Sequence, residues 1–417
     1  MPKPLSFCII TTFYPPYSFG GDAIYLYRLC QELARRGHAV DVIHCADSYR
    51  LYRPEPDPGG SGAGEGITIH TLRSGLGALS PLLSHQTGYP LLKAGKIREV
   101  FQSRRFDVIH YHNISLFGPG VLEIEPDYDG WVKLYTMHEH WLVCPMNVLW
   151  KNNERACEKP ECLTCMMISR RPPQLWRYTG LRDRKARAVD QFLAPSRFTR
   201  DMHHQRGFPH PIELLPYFLE PVDHDWQAPG PSPHPRPYFL FVGRLEKIKG
   251  LQNLLPEFAA AGDYDLLVAG TGDYEEELRR QAAGMERVKF LGWTGQDRIG
   301  PYYYHALGVI APSITYETFG IILIEAFARR TPVIVNDLGA LPEVVHDSGG
   351  GFVYRTPEEL RQAMTILSQQ PDVRRQLGSQ GYQTFCRLWC TKPHLERYFH
   401  LIRETGERKA GRLGAQE

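Results

Sequence analysis

An α/β fold of two doubly wound parallel-sheet domains is what this 417-residue chain predicts, and three observations predict it. Apolar strand patterns alternate with helical ones along each half, a proline-dense segment parts the halves, and the length exceeds what one core comfortably serves. In the first half, strands are expected at Leu5–Thr12, Ala39–His44, Ile67–Leu72, Phe106–His112 and Trp131–Met137. Helical patterns at Asp22–Arg36 and Leu91–Arg105 separate them, which implies parallel pairing through crossovers. Glu220–Pro237 reads as the linker. A second series follows at Tyr238–Val242, Asp265–Ala269, Arg287–Leu291, Leu307–Ala311 and Val333–Val335. Each sheet should then offer a ligand crevice at the carboxyl ends of its strands. The expected division is a first domain over 1–218 with a Cys-rich insertion at 139–172, a linker at 219–237, a second domain over 238–385 and a helical tail over 386–417. Gly59–Gly66 reads as a mobile loop.

Composition narrows the function classes. The net charge of +2 gives no bulk electrostatic case for a nucleic-acid partner. The halves differ: residues 1–218 hold 26 Lys and Arg against 21 Asp and Glu, and the remainder 22 against 25, so the first half could face anionic lipid. MPKPLSFCIITT enters a strand directly instead of forming a leader, and no apolar run reaches the roughly 20 residues that span a bilayer. A cytoplasmic protein, peripheral at most to the inner membrane face, is expected.

The most informative run is ETFGIILIE, bracketed by Glu317 and Glu325. HALGVIAPS before it reads as a buried strand and GIILIEAFARR after it as a helix. Glu317 therefore falls at a strand-to-helix junction, where the backbone N–H groups of Phe319, Gly320 and Ile321 favour anionic and hydroxyl-rich ligands. Glu325, one to two turns along, can accept two hydrogen bonds from a ribose diol. Upstream, FVGRLEKIKG places Arg244 and Lys249 on a loop after another strand, a metal-free diphosphate site in outline. Taken singly, each motif is equally a set of solvated surface charges; their combination is what argues for a site. In the first half Gly20 and Gly21 precede a helix, so bare backbone could approach a phosphate there, or simply turn. No G-x-G-x-x-G with a later ribose-binding acid is present, which disfavours a nicotinamide enzyme.

Taken in order, TTFYPPYSFGGDAIYLYRLCQELARRGHAVDV, LYTMHEHWLVCP, FVGRLEKIKG, VAGTGDYEEELR, VKFLGW, APSITYETFGIILIEAFA and PVIVNDLGALPEVV resemble the retaining glycosyltransferases of family 4. The resemblance covers most of the chain and is specific for the family, not for donor or acceptor. It implies the GT-B fold of two facing Rossmann-like domains, with a C-terminal helix crossing back to the first. It also implies that His138, in TMHEHW, lies beside the donor sugar, with His112 a weaker candidate on the acceptor side. Glu317 and the Phe319–Ile321 backbone would orient sugar hydroxyls, Glu325 would hold the ribose, Trp293 would meet the base, and Arg244 and Lys249 would stabilise the departing diphosphate. The donor would be a UDP- or GDP-sugar and the acceptor a sugar or a lipid-linked molecule, as in cell-surface polysaccharide or glycoconjugate synthesis. Substitution would be front-face and without a metal cofactor. A nucleotide-sugar 2-epimerase of the same fold and a non-catalytic nucleotide-sugar-binding protein stay open as alternatives.

Two further features lie outside that scheme. Cys144, Cys157, Cys162 and Cys165 space as C-x12-C-x4-C-x2-C, read here as a structural zinc site bracing an insertion with little core, with disulfides, free thiols or an iron–sulfur cluster as alternatives. Arg170–Arg187 carries seven bases against one acid with Trp176 and Tyr178 between them, either a patch for anionic headgroups or a solvated basic face. The D-x-D matches Asp127–Asp129 and Asp263–Asp265 read as accidental.

Overall fold

A computed structural model of the chain describes residues 3–53, 64–221, 230–259 and 263–413. Parts of Gly59–Gly66, Glu220–Pro237 and the tail beyond 413 lie outside these residues. Among the described residues fifteen strands occur in chain order: β1 Ser6–Ile10, β2 Ala39–Cys45, β3 Ile67–Leu72, β4 Val108–Tyr111, β5 Val132–Thr136, β6 Trp150–Lys151, β7 Arg155–Ala156, β8 Gln191–Ala194, β9 Ile212–Leu214, β10 Tyr238–Val242, β11 Asp265–Ala269, β12 Val288–Gly292, β13 Gly308–Ala311, β14 Val333–Asn336 and β15 Gly351–Tyr354. Seven form one sheet in the order β3-β2-β1-β4-β5-β8-β9, and six another in the order β12-β11-β10-β13-β14-β15. All these pairings are parallel, as helical crossovers require. β6 and β7 make a separate small hairpin.

Strand composition explains burial on both faces: SFCII, VIHY, VKLYT, DLLVA and GVIA are almost wholly sequestered. One apolar cluster packs the helix Gly21–Arg35 against the first sheet and continues through Tyr217 and Phe319 to Leu323 and Val335 of the second half. Separate clusters cover the other face of each sheet.

The chain's last helix, Thr391–Leu413, returns to the first sheet. Tyr398 is fully buried, and its hydroxyl lies 2.7 Å from His110 Nδ1. Arg397 pairs with Glu213 at 2.8 Å and Lys409 with Asp190 at 2.9 Å. Further polar ties join the halves near their facing loops: Thr315 Oγ1 donates to Val148 O (2.8 Å), Thr318 Oγ1 to His138 O (3.1 Å) and Ser196 Oγ to Thr318 O (2.7 Å). Among the described residues, no helix is long and apolar enough to cross a membrane.

Candidate active site between the two sheets

In an open parallel sheet the ligand crevice forms where neighbouring strands connect in opposite directions. The strand orders place these points beyond β1 and β4 in one sheet and beyond β10 and β13 in the other. Loops from both points line one cleft of about 590 Å³.

On the second sheet, β10 leads into the loop bearing Arg244 and Lys249, and β13 into the loop bearing Glu317. Gly250, at φ 73°, allows these loops to touch: a Cβ there would lie 1.9 Å from Pro312 O. The backbone bond from Ile314 N to Ile248 O, at 3.0 Å, fastens them together. Lys249 Nζ consequently reaches Glu317 Oε1 at 2.6 Å, and Ser313 Oγ donates to the same oxygen at 2.7 Å. Burial alone would raise the Glu317 pKa, but Lys249, Ser313 and Arg244 together bring it below the usual carboxylate range. Arg244 is half exposed and paired with Glu246 at 2.6 Å. Glu325 faces the cleft from the helix Ile321–Phe327; Tyr303 donates to one of its oxygens at 2.8 Å, and Arg28 of the first half approaches the other at 3.5 Å. Trp293, 72% exposed, stands at the cleft rim.

From the first sheet come Gly20 and Gly21, where the helix Gly21–Arg35 begins, and His138, beyond β5. Gly20 adopts φ 85°, and a Cβ on Gly21 would contact Ile321 at 3.4 Å, so the two halves meet at this lip. His138 is buried with both ring nitrogens engaged, Nδ1 with Tyr217 Oη and Nε2 with His112 Nδ1, each at 2.7 Å. Burial pushes its pKa down to about 3, so the ring is neutral. To donate to a sugar hydroxyl it must give up one of these bonds.

The structure brings Gly20, Gly21, His138, Arg244, Lys249, Trp293, Glu317, Gly320, Ile321 and Glu325 to the one cleft. The side chain of Phe319 is 3% exposed and packs against Tyr217 and Trp389, with centroids 5.2 and 6.2 Å away, so its ring is a core wedge and its expected role rests on the backbone N–H alone. Sequence reading missed the acidic side of the cleft, formed by Asp22 and Glu139. Burial and the nearby Asp22 push Glu139 up to about 8, although Asn147 Nδ2 donates to it at 2.9 Å. Asp22 is also raised by burial, an effect opposed by backbone hydrogen bonds, Arg244 and Asn113. The signal available was position: Glu139 follows His138 and Asp22 follows the glycine pair.

The zinc expectation finds no support. Among the described residues no group of three or more His, Cys, Asp or Glu is arranged to hold a metal ion. Cys144, Cys157, Cys162 and Cys165 are free thiols, and Cys144 and Cys157 pack in a small apolar cluster with Leu149 and Met202. Burial raises the pKa values of Cys144, Cys157 and Cys162. Cys165 Sγ accepts from Asn152 N at 3.3 Å. The neighbouring basic stretch is also partly consumed internally: Arg177 lies over the rings of Trp141 and Trp176, 5.0 and 4.7 Å from their centroids, Arg182 donates to Leu142 O, and Lys185 pairs with Glu123.

Two facing parallel sheets whose opposed crevices share one cleft define a GT-B molecule. The model of Glycosyltransferase Family 4 matches residues 19–221 and that of Glycosyl transferases group 1 matches residues 223–384, one on each half. The chain belongs to the family 4 glycosyltransferases. It is 38% identical over 140 residues to the phosphatidyl-myo-inositol mannosyltransferase of Mycobacterium leprae, a match covering 32% of this chain and 37% of that relative. The chain thus spans little more than a third of that relative's length. With the O-antigen chain mannosyltransferase C of Escherichia coli it shares 23% identity over 96% of this chain and 99% of that protein. The structure of the sucrose-phosphate synthase of Thermosynechococcus elongatus superposes with a TM-score of 0.70 at 21% identity, covering 96% of this chain and 98% of that one.

Proposed function

We propose that the protein transfers a sugar from a nucleoside diphosphate to a hydroxylated acceptor within this cleft, with retention of anomeric configuration. The observation that carries the reading is the Lys249–Glu317 pair: a cation beside a strand-end loop, 2.6 Å from a carboxylate held ionised, with Arg244 on the same loop. Breaking an anomeric C–O bond drives negative charge onto the leaving diphosphate. Arg244 and Lys249 stand where preformed positive charge would stabilise it. Glu317 then accepts from sugar hydroxyls, Glu325 exchanges its long Arg28 contact for the ribose diol, and Trp293 offers a face to the base. Front-face substitution lets the departing phosphate take the acceptor's proton, so no protein nucleophile is needed.

In this reading residues 238–385 are the nucleotide-sugar unit, residues 1–218 the acceptor unit, and 386–417 the strap between them. The cations take the role a divalent ion would fill, so transfer should persist in excess EDTA. Similarity to the O-antigen chain mannosyltransferase C supports a setting in cell-surface polysaccharide or glycoconjugate synthesis. Incubation with radiolabelled UDP- and GDP-sugars and a panel of sugar and lipid-linked acceptors tests the assignment. Label transferred to an acceptor is the expected outcome; acceptor-free release of a 2-epimer, or binding without turnover, would replace it with the epimerase or the binding-protein reading.

A further inference from the structure

Eleven of the sixteen exposed large apolar side chains among the described residues come from two stretches, 76–92 and 163–178. The most open include Leu79 at 59%, Met167 at 56% and Leu175 at 66%. These stretches are far apart in sequence yet adjacent in space. Trp176 Nε1 and Gln174 Nε2 donate to His85 O at 2.9 and 3.4 Å, and Gln86 Nε2 approaches Pro172 O at 3.5 Å. The helix Leu79–Thr87 therefore lies beside the Leu175–Tyr178 turn, which the helix Cys162–Ile168 precedes.

Charge says what covers this face. Neither residues 66–98 nor residues 162–182 contain an Asp or Glu, and together they hold eight Lys and Arg, of which Lys93 is buried and Arg177 lies over Trp141 and Trp176. Arg170 is exposed beside Met167 and Ile168. Of the acids flanking the second stretch, Glu161 pairs with Lys151 at 2.8 Å and Asp183 with Arg182 at 2.6 Å, while Glu65 and Glu99 bound the first. A second copy would set like charge against like. An apolar surface ringed by bases and cleared of acids is instead complementary to an anionic bilayer, which takes side chains into its interface while attracting cations.

We propose that this face, built from the Leu79–Thr87 helix and the 163–178 segment, seats the protein on an anionic lipid bilayer. The docking surface is independent of the transferase assignment. It lies against the cleft's first-domain wall, since Trp176 beneath it packs on Trp141, with centroids 5.9 Å apart, three residues beyond His138.

Flotation of the full chain with phosphatidylcholine vesicles, with and without about one-third phosphatidylglycerol, tests it. The protein should float with the anionic vesicles, remain behind with the neutral ones, and be released by high salt. Leu79→Ser combined with Leu175→Ser should cut partitioning by at least about tenfold, and Arg170→Gln by about fivefold. Leu388→Ser, an exposed apolar position elsewhere, should change nothing, and melting temperatures check that each variant is folded. Failure to float, flotation unaffected by both the leucine and the arginine changes, or a concentration-dependent dimer abolished by the paired leucine variant would each overturn the proposal, the last by giving the face to a second copy.

Discussion

Glu317 keeps its charge in a partly buried cleft because Lys249 sits 2.6 Å away and Ser313 donates to the same oxygen. Lys249→Ala should therefore do two things, removing positive charge from the diphosphate and leaving Glu317 without its partner. Arg244→Ala does only the first. Steady-state kinetics should show turnover falling by roughly 10²–10³ for Arg244→Ala and further for Lys249→Ala, with much smaller losses in nucleoside diphosphate affinity. Equal losses in turnover and affinity would remove both from the charge-stabilising role. Glu139 supplies a pH test. Its folded pKa, about 8, lies above the ordinary carboxyl value near 4.3, so its contribution to stability is fully present below the unfolded value and lost as pH rises through 8. Glu139→Gln mimics the protonated acid, so urea unfolding should show it gaining on the wild type between pH 5 and about 8. A variant that loses ground to the wild type over that range would contradict the buried-acid account. The residue types at the site were legible as motifs, but the Lys249–Glu317 contact spans 68 positions and no local pattern encodes it. The burial of the Phe319 ring was illegible for the same reason: its partners, Tyr217 and Trp389, come from distant segments.

At the level of elements, close loop contact sets the site, and glycine permits it. Gly250→Ala would drive a Cβ into Pro312 O and force φ 73° on alanine, whereas Gly37 at φ 83° has nothing within 4 Å. Gly37→Ala should cost about 1–2 kcal/mol of stability from backbone strain alone. Gly250→Ala should cost clearly more in denaturant unfolding and should also lower turnover through Lys249. Equal costs would mean that the loop contact is not tight. The ten strands expected from apolar runs all appear, with ends shifted by no more than two residues. β6, β7, β8, β9 and β15 were missed because runs of two to four residues carry too little periodicity to separate strand from loop, whereas the equally short β4 and β13 lie within longer apolar runs. The helix expected over Leu91–Arg105 is shorter, Ala94–Ser103, and starts beyond the exposed Leu91 and Leu92.

Across the whole molecule, the returning helix Thr391–Leu413 ties the second half to the first sheet. Its Tyr398 hydroxyl meets His110, whose other ring nitrogen lies 2.8 Å from Thr136 Oγ1, so the contact reaches the strand that leads to His138. Tyr398→Phe strands a buried imidazole nitrogen and should destabilise by about 1–3 kcal/mol in thermal or urea unfolding. An unchanged midpoint would show that the strap is held by apolar packing alone. The two-sheet architecture was legible because alternation of strands and helices is a local signal repeated many times. The acidic Asp22–Glu139 wall was not, and of the docking face only the basic stretch from Arg170 was, since each joins residues that only the folded chain brings together. The central claim is sugar transfer with retention in the shared cleft, and anomeric proton NMR of the product formed from an α-linked nucleotide sugar tests it most directly. The account predicts an α-linked product formed by the wild type and lost in Glu317→Gln and Lys249→Ala proteins that still bind nucleoside diphosphate; a β-linked product, or undiminished transfer by both variants, would contradict it.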